Sequence, residues 1–224
     1  MTMNTPTAET GSQLITLLAS LMLVLQLLLV VQQMLVTNIR IFALQSLLLA
    51  AIAGVVGYAY HAGHVYVVAV LTLVGKVLFL PWRLERLVRQ IKIEQEIHPF
   101  INMPASMLIC GALTVLAYVV ARPITSLERL GSNTLAVAIA LLLTGFFLMI
   151  IRRKAITQVL ALLTMENGVM LAAIALTTYG MPLVVEIGIF FDVVVAVMVL
   201  GILVFRIRET FASMDVSKLN ELKW

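Results

Sequence analysis

Charge is scarce in this chain of 224 residues. Only 12% are Asp, Glu, Lys or Arg, about half the share of an ordinary soluble domain. With 62% apolar residues and a mean hydropathy of +1.09, that excludes a soluble globular enzyme and a disordered tail. Cysteine is nearly absent: Cys110 stands alone inside an apolar run, so a disulfide scaffold is excluded. Three histidines and one cysteine make no zinc signature, and no metal is expected. GxGxxG, P-loop and CxxC motifs are all missing, so no nucleotide, haem or iron–sulfur site is encoded and no cofactor is expected. Lys and Arg are missing from residues 1–13 (MTMNTPTAETGSQ), and no A-x-A-like site follows the first apolar run. That run is therefore read as a retained transmembrane helix, not a signal peptide.

What is present is a series of apolar runs. They lie at Leu14–Val36, Ile41–Tyr60, Val65–Trp82, Met103–Ala121, Thr134–Ile151, Ala155–Thr178 and Leu183–Phe205. Each can cross a hydrocarbon core of about 30 Å as a helix. Open strands of this apolarity would leave backbone groups unpaired in lipid, and the alternation of a membrane barrel is absent. The expected fold is all-α and polytopic, with about seven spans. In Arg83–His98, Leu84, Leu87, Val88 and Ile91 recur at helical spacing among Arg86, Arg89, Gln90 and Lys92. This predicts an amphipathic helix on the membrane surface, ended by Pro99 and Pro104. The expected organisation is a polar tail (1–13), a four-span part (14–121) including the surface helix (83–98), an external loop (122–133), a three-span part (134–207) and a cytoplasmic tail (208–224).

The net charge of +4 is a topology signal before it is a nucleic-acid signal, and no nucleic-acid partner is expected. With seven spans, one side holds Arg122 and Arg129 alone. The other holds 12 basic residues, among them Arg40, Arg83, Arg152, Arg153, Lys154, Arg206 and Lys223. The positive-inside rule places the N-terminus outside and the C-terminus in the cytoplasm.

Four ionisable residues fall within spans: Lys76, Glu166, Glu186 and Asp192. A charge at the bilayer centre costs at least about 2.5–3.5 kcal/mol on insertion scales. Glu166 lies about 18 Å of helix beyond Lys154, and Asp192 about 14 Å beyond Leu183, so both reach mid-membrane. Such a pair suits a proton relay, and a permanently protonated structural carboxyl fits the same positions. Gly188 and Ala196 flank Asp192 at i−4 and i+4 and mark a close-packing side. Glu186 lies near the outer end, within reach of water. Lys76, six residues before Trp82, is either buried for a purpose or snorkels to the interface. His61 and His64 read as solvated loop residues, and the 12 methionines as core filler. QSLLLAAIAG (45–54) resembles NGVMLAAIAL (167–176), a weak internal repeat that puts Lys76 near the place of Asp192.

The strings MENGVMLAAIAL (165–176), PLVVEIGIFFDVVVAVMVLGI (182–202), MDVSKLNELKW (214–224) and GKVLFLP (75–81) closely resemble the hydrogenase-4 component E family. Its members are membrane subunits of formate hydrogenlyase-type and other group 4 nickel–iron hydrogenase complexes. The C-terminal spans are similar to subunit K of complex I and to the C subunit of multisubunit cation/proton antiporters. Those subunits carry one acidic residue in each of two helices. By position Glu166 matches the first, and Asp192 the second, with aspartate in place of the usual glutamate. The resemblance implies a subunit of a bacterial or archaeal cytoplasmic membrane complex, not catalytic on its own, with Glu166, Asp192, Lys76 and Glu186 on a proton path. It implies antiporter-like and quinone-site-like membrane subunits as partners, with peripheral hydrogenase subunits reached indirectly. Basic inner loops would also meet anionic lipid. A cation/proton antiporter subunit and a non-conducting scaffold are the alternatives.

Overall fold

The computed structural model describes residues 6–59, 63–91, 101–125, 133–177 and 201. The chain divides into two units, Met1–Gly188 and Ile189–Trp224. Gly201 in the second is helical, and everything below concerns the first.

Helix α1 (Pro6–Val31) begins inside the polar N-terminal stretch, since proline is tolerated in a first helical turn. The Thr16 and Ser20 hydroxyls donate to carbonyls one turn back, at 2.9 and 2.8 Å, which lets polar residues ride on the helix. Residues 6–13 thus belong to α1 and not to a separate tail. At its other end α1 stops at Val31, five residues before the end of the apolar run. The Gln32 side-chain oxygen accepts from the Gln33 and Met34 amides at 2.9 and 3.2 Å. That local turn cuts one apolar run into α1 and α2 (Leu35–Ala59).

Helix α3 (Gly63–Thr72), a π segment (Leu73–Phe79) and α4 (Leu80–Ile91) follow without a break. Pro81 explains the wide middle. In an α-helix its ring would clash with the carbonyl four residues back, and it has no N–H to give. Wider bonds, such as Leu80 N–H to Gly75 O, relieve the clash. The expectation of a separate helix starting at Arg83 is corrected in this respect: the change from apolar to amphipathic sequence is not a change of conformation. Leu84 and Val88 are buried within the chain, where α4 packs on α2, so they do not face lipid. Arg86 lies over the Trp82 ring at 5.9 Å, and Glu85 pairs with Arg40 at 3.4 Å and Arg89 at 3.7 Å. Residues 92–98 lie outside the described residues.

Helices α5 (Met103–Thr125), α6 (Thr134–Ile151) and α7 (Ala155–Thr177) complete the described elements. Six helices are long and apolar enough to cross a membrane. The seventh expected span, Leu183–Phe205, lies outside the described residues apart from Gly201. The chain is thus a multi-pass, all-helical membrane protein. The hairpin α1–α2 lies beside the hairpin α6–α7, with α1 on α6 and α2 on α7, while α2 also carries α3, the π segment and α4. Cys110 on α5 packs with Leu29, Val30, Leu148, Ile151 and Ala161 as a small apolar side chain. On α1, Leu14, Leu17, Leu21, Val24, Leu28 and Val31 form an exposed stripe at helical spacing, the face for lipid or another subunit.

Two features lock the hairpins together. Gly145 and Gly168 let the α6 and α7 backbones meet: a Cβ on Gly168 would stand 2.8 Å from Leu142 N and 2.9 Å from Ala138 O. At the basic end, Arg152 follows α6 and is 3% exposed. Its guanidinium donates to the carbonyls of Leu29, Val30 and Gln32 at 2.7, 3.2 and 3.2 Å. It thereby answers the orphan carbonyls at the end of α1, where a cation also complements the helix dipole. Arg152→Met should cost about 3 kcal/mol, because charge-assisted bonds vanish and buried carbonyls go unpaired. Arg152→Lys should recover only part of this, since a point charge cannot span three carbonyls. The midpoint of thermal unfolding in detergent reads both, and equal midpoints for Met and wild type would refute the capping role.

Candidate functional site

Lys76 and Glu166 are brought together in the interior. Lys76, in the π segment, is 3% exposed, Glu166 on α7 is 1% exposed, and Nζ lies 3.4 Å from Oε2. Of the two readings of Lys76, snorkelling is therefore excluded. The helix runs on to Ile91, so Trp82 is not its end, and the lysine lies too deep to reach the interface. Glu186 and Asp192 lie outside the described residues.

Beyond the pair runs a line of buried uncharged groups. Lys76 Nζ donates to Asn167 Oδ1 at 3.3 Å. Asn167 Nδ2 donates to Gln45 Oε1 at 3.3 Å and to Ser46 Oγ at 3.1 Å. Gln45 Nε2 donates to Gln26 Oε1 at 3.0 Å and to the Met22 carbonyl at 3.3 Å. Gln26, Gln45, Ser46 and Asn167 are all fully buried. An ammonium can only donate, so Asn167 must turn its oxygen to Lys76 and its NH2 group to Gln45. Gln45 must then turn its NH2 to Gln26. The lysine therefore sets the sense of every amide in the line, and aligned bonds in a low dielectric reinforce one another.

Gln45 and Asn167 are the residues that the weak repeat equates, and they bond to each other across α2 and α7. Reading the spans for charge alone misses Gln26, Gln45 and Asn167. The signal that could reveal them is an amide in the middle of an apolar run, which also needs a partner in lipid. Among the described residues no three His, Cys, Asp or Glu side chains converge to hold a metal. Chemically, the arrangement can hold a proton at either end of the 3.4 Å contact while the amides keep Nζ in place.

Residues 133–224 match the family model of NADH-ubiquinone/plastoquinone oxidoreductase chain 4L. An uncharacterized protein of Mycobacterium tuberculosis is 35% identical over 187 residues, 83% of this chain and 84% of that protein. Hydrogenase-4 component E of Escherichia coli is 31% identical over 218 residues, 96% of this chain and 99% of its own. The protein of the same description from Shigella flexneri has the same identity and coverage. No solved structure matches the chain. A polytopic helical chain that aligns almost end to end with hydrogenase-4 component E belongs to the hydrogenase-4 component E family.

Proposed function

We propose that this chain is a non-catalytic membrane subunit of a hydrogenase complex resembling complex I, and that Lys76 and Glu166 carry protons within it. The observation behind this reading is the buried ion pair, 3.4 Å across and almost closed to solvent. A buried pair is a weak source of stability, because packed apolar side chains do as well or better. Its use is chemical. While both groups are charged, each neutralises the other. A proton reaching Glu166 removes the negative partner and leaves Lys76 an uncompensated cation, which then gives its proton onward. Loss of the proton from Glu166, with reprotonation of Lys76, resets the pair. Asn167 holds Nζ in line throughout.

Asp192 and Glu186 extend this path, Asp192 at mid-membrane and Glu186 near the outer surface. The basic count supports a cytoplasmic end at Arg152–Lys154 and an external N-terminus, in a bacterial or archaeal cytoplasmic membrane. The partners are antiporter-like and quinone-site-like membrane subunits, with peripheral hydrogenase subunits beyond them. Lipid covers the remaining apolar faces. Proton pumping by vesicles holding the assembled complex tests the reading. Normalised to assembled complex, Glu166→Gln and Asp192→Asn should lower it about tenfold or more, the scale of losing a positioned proton carrier. Glu186→Gln should be milder, because water can substitute there. Full pumping in Glu166→Gln overturns the proposal.

A further inference from the structure

At the basic end of the two hairpins, Asn38, Arg152, Thr157 and Thr164 line a small cavity with Leu29 and Leu160. About 10 Å³ of it is open to the centre of a water-sized sphere, the lower limit for holding one water. Asn38 is 2% exposed. Its Nδ2 donates to the Gln32 carbonyl at 3.2 Å, and among the described residues no donor reaches its Oδ1. The Thr157 and Thr164 hydroxyls donate to the Lys154 and Ala161 carbonyls, both at 2.8 Å. Each hydroxyl oxygen still has room to accept. A donor with two protons and the size of this cavity is therefore the group the lining calls for. The Arg152 guanidinium on the wall suits a neutral ligand and disfavours a resident metal cation.

We infer that this cavity binds one water molecule, which donates to Asn38 Oδ1 and to a threonine oxygen and is the cytoplasmic foothold for protons bound for Lys76 and Glu166. The second half of this inference rests on the proposed proton path. Thr164 lies one turn from Asn167 on the same face of α7, a rise of about 4.5 Å. Asn38 lies two turns from Gln45 on α2, about 10.5 Å. Phe42, fully buried, fills the intervening turn of α2, so the route follows α7 through the Thr164 hydroxyl. In each passage the water takes a proton from the cytoplasmic side and passes one on toward Asn167 and the ion pair. It ends as the neutral water it was.

The experiment uses the intact complex. A single-particle map that resolves waters should show density at hydrogen-bond distance from Asn38 Oδ1. Asn38→Leu should remove it. Pumping per assembled complex in Asn38→Leu should fall about tenfold, equal to a barrier raised by about 1.4 kcal/mol. Thr164→Val keeps the shape of the site and should slow pumping in the same direction, a safeguard if Asn38→Leu assembles poorly. With pumping lost in Glu166→Gln, wild-type rates in both cavity variants would overturn the inference and leave the ion-pair reading standing. Absence of density at Asn38 would do the same. Full pumping in Glu166→Gln would end both, because the water would then serve structure alone.

Discussion

Lys76→Met lowers the yield of assembled complex, Glu166→Gln does the same, and the double variant recovers assembly without recovering proton pumping. This is the expected result, and it follows from the pair's burial. Removing one member of a buried ion pair leaves an uncompensated charge in a low dielectric, at about 3–5 kcal/mol. Loss of Lys76 also removes the donor that orients Asn167 and, through it, Gln45. Removing both charges leaves two neutral side chains of similar length, a change that is often close to neutral. The non-additivity should therefore be large, about 2–3 kcal/mol, at the upper end of that for residues in contact. Assembled complex on native gels and pumping in vesicles give the two readings. A double variant that assembles no better than the worse single one would mean that the 3.4 Å contact carries no energetic coupling.

Gly168→Leu should prevent assembly altogether. A Cβ at this position meets the Leu142 amide nitrogen and the Ala138 carbonyl below 3.0 Å, and both are backbone. Backbone cannot rotate aside as a side chain can, so α6 and α7 must part. Even Gly168→Ala should cost about 1–3 kcal/mol, the range for overpacking a filled interior. Gly145→Ala should behave alike, since its Cβ would lie 2.8 Å from Met165 N. Either change displaces the turn of α7 that bears Glu166 and Asn167. Gly54→Ala is the control: no atom lies within 4 Å of a Cβ there. It should be neutral or stabilise α2 by up to about 1 kcal/mol, through helix propensity. Equal thermal midpoints for Gly54→Ala and Gly168→Ala would refute the crossing argument.

Several elements are legible in the residues themselves. The span Thr134–Ile151 coincides with α6, and Ala155–Thr178 with α7 to within one residue. Arg152, Arg153 and Lys154 interrupt the apolar pattern sharply between them. Membrane depth singles out Lys76 and Glu166 correctly as residues needing a reason, yet linear spacing does not reveal that each is the other's partner. The break at Gln32–Met34 is hidden because it rests on side-chain acceptors inside an apolar run, not on glycine or proline. The continuity of Gly63–Ile91 is hidden for the opposite reason: Pro81 and a sudden charge density look like a boundary, while the backbone absorbs the proline by widening. The amides Gln26, Gln45 and Asn167 escape notice because an uncharged side chain barely disturbs a hydropathy profile. Their importance emerges only when three helices are placed side by side.

The short span of the Lys76–Glu166 contact also bears on how membrane voltage acts on the chain. A full elementary charge crossing the membrane at 100 mV gains about 2.3 kcal/mol. A proton exchanged across 3.4 Å covers at most about a ninth of a 30 Å core. Even if the contact lay along the membrane normal, the field would contribute no more than about 0.3 kcal/mol to that step. The exchange within the pair is thus electrically almost silent. Any steep voltage dependence of pumping must arise in the longer legs on either side, where the charge travels through most of the electric field.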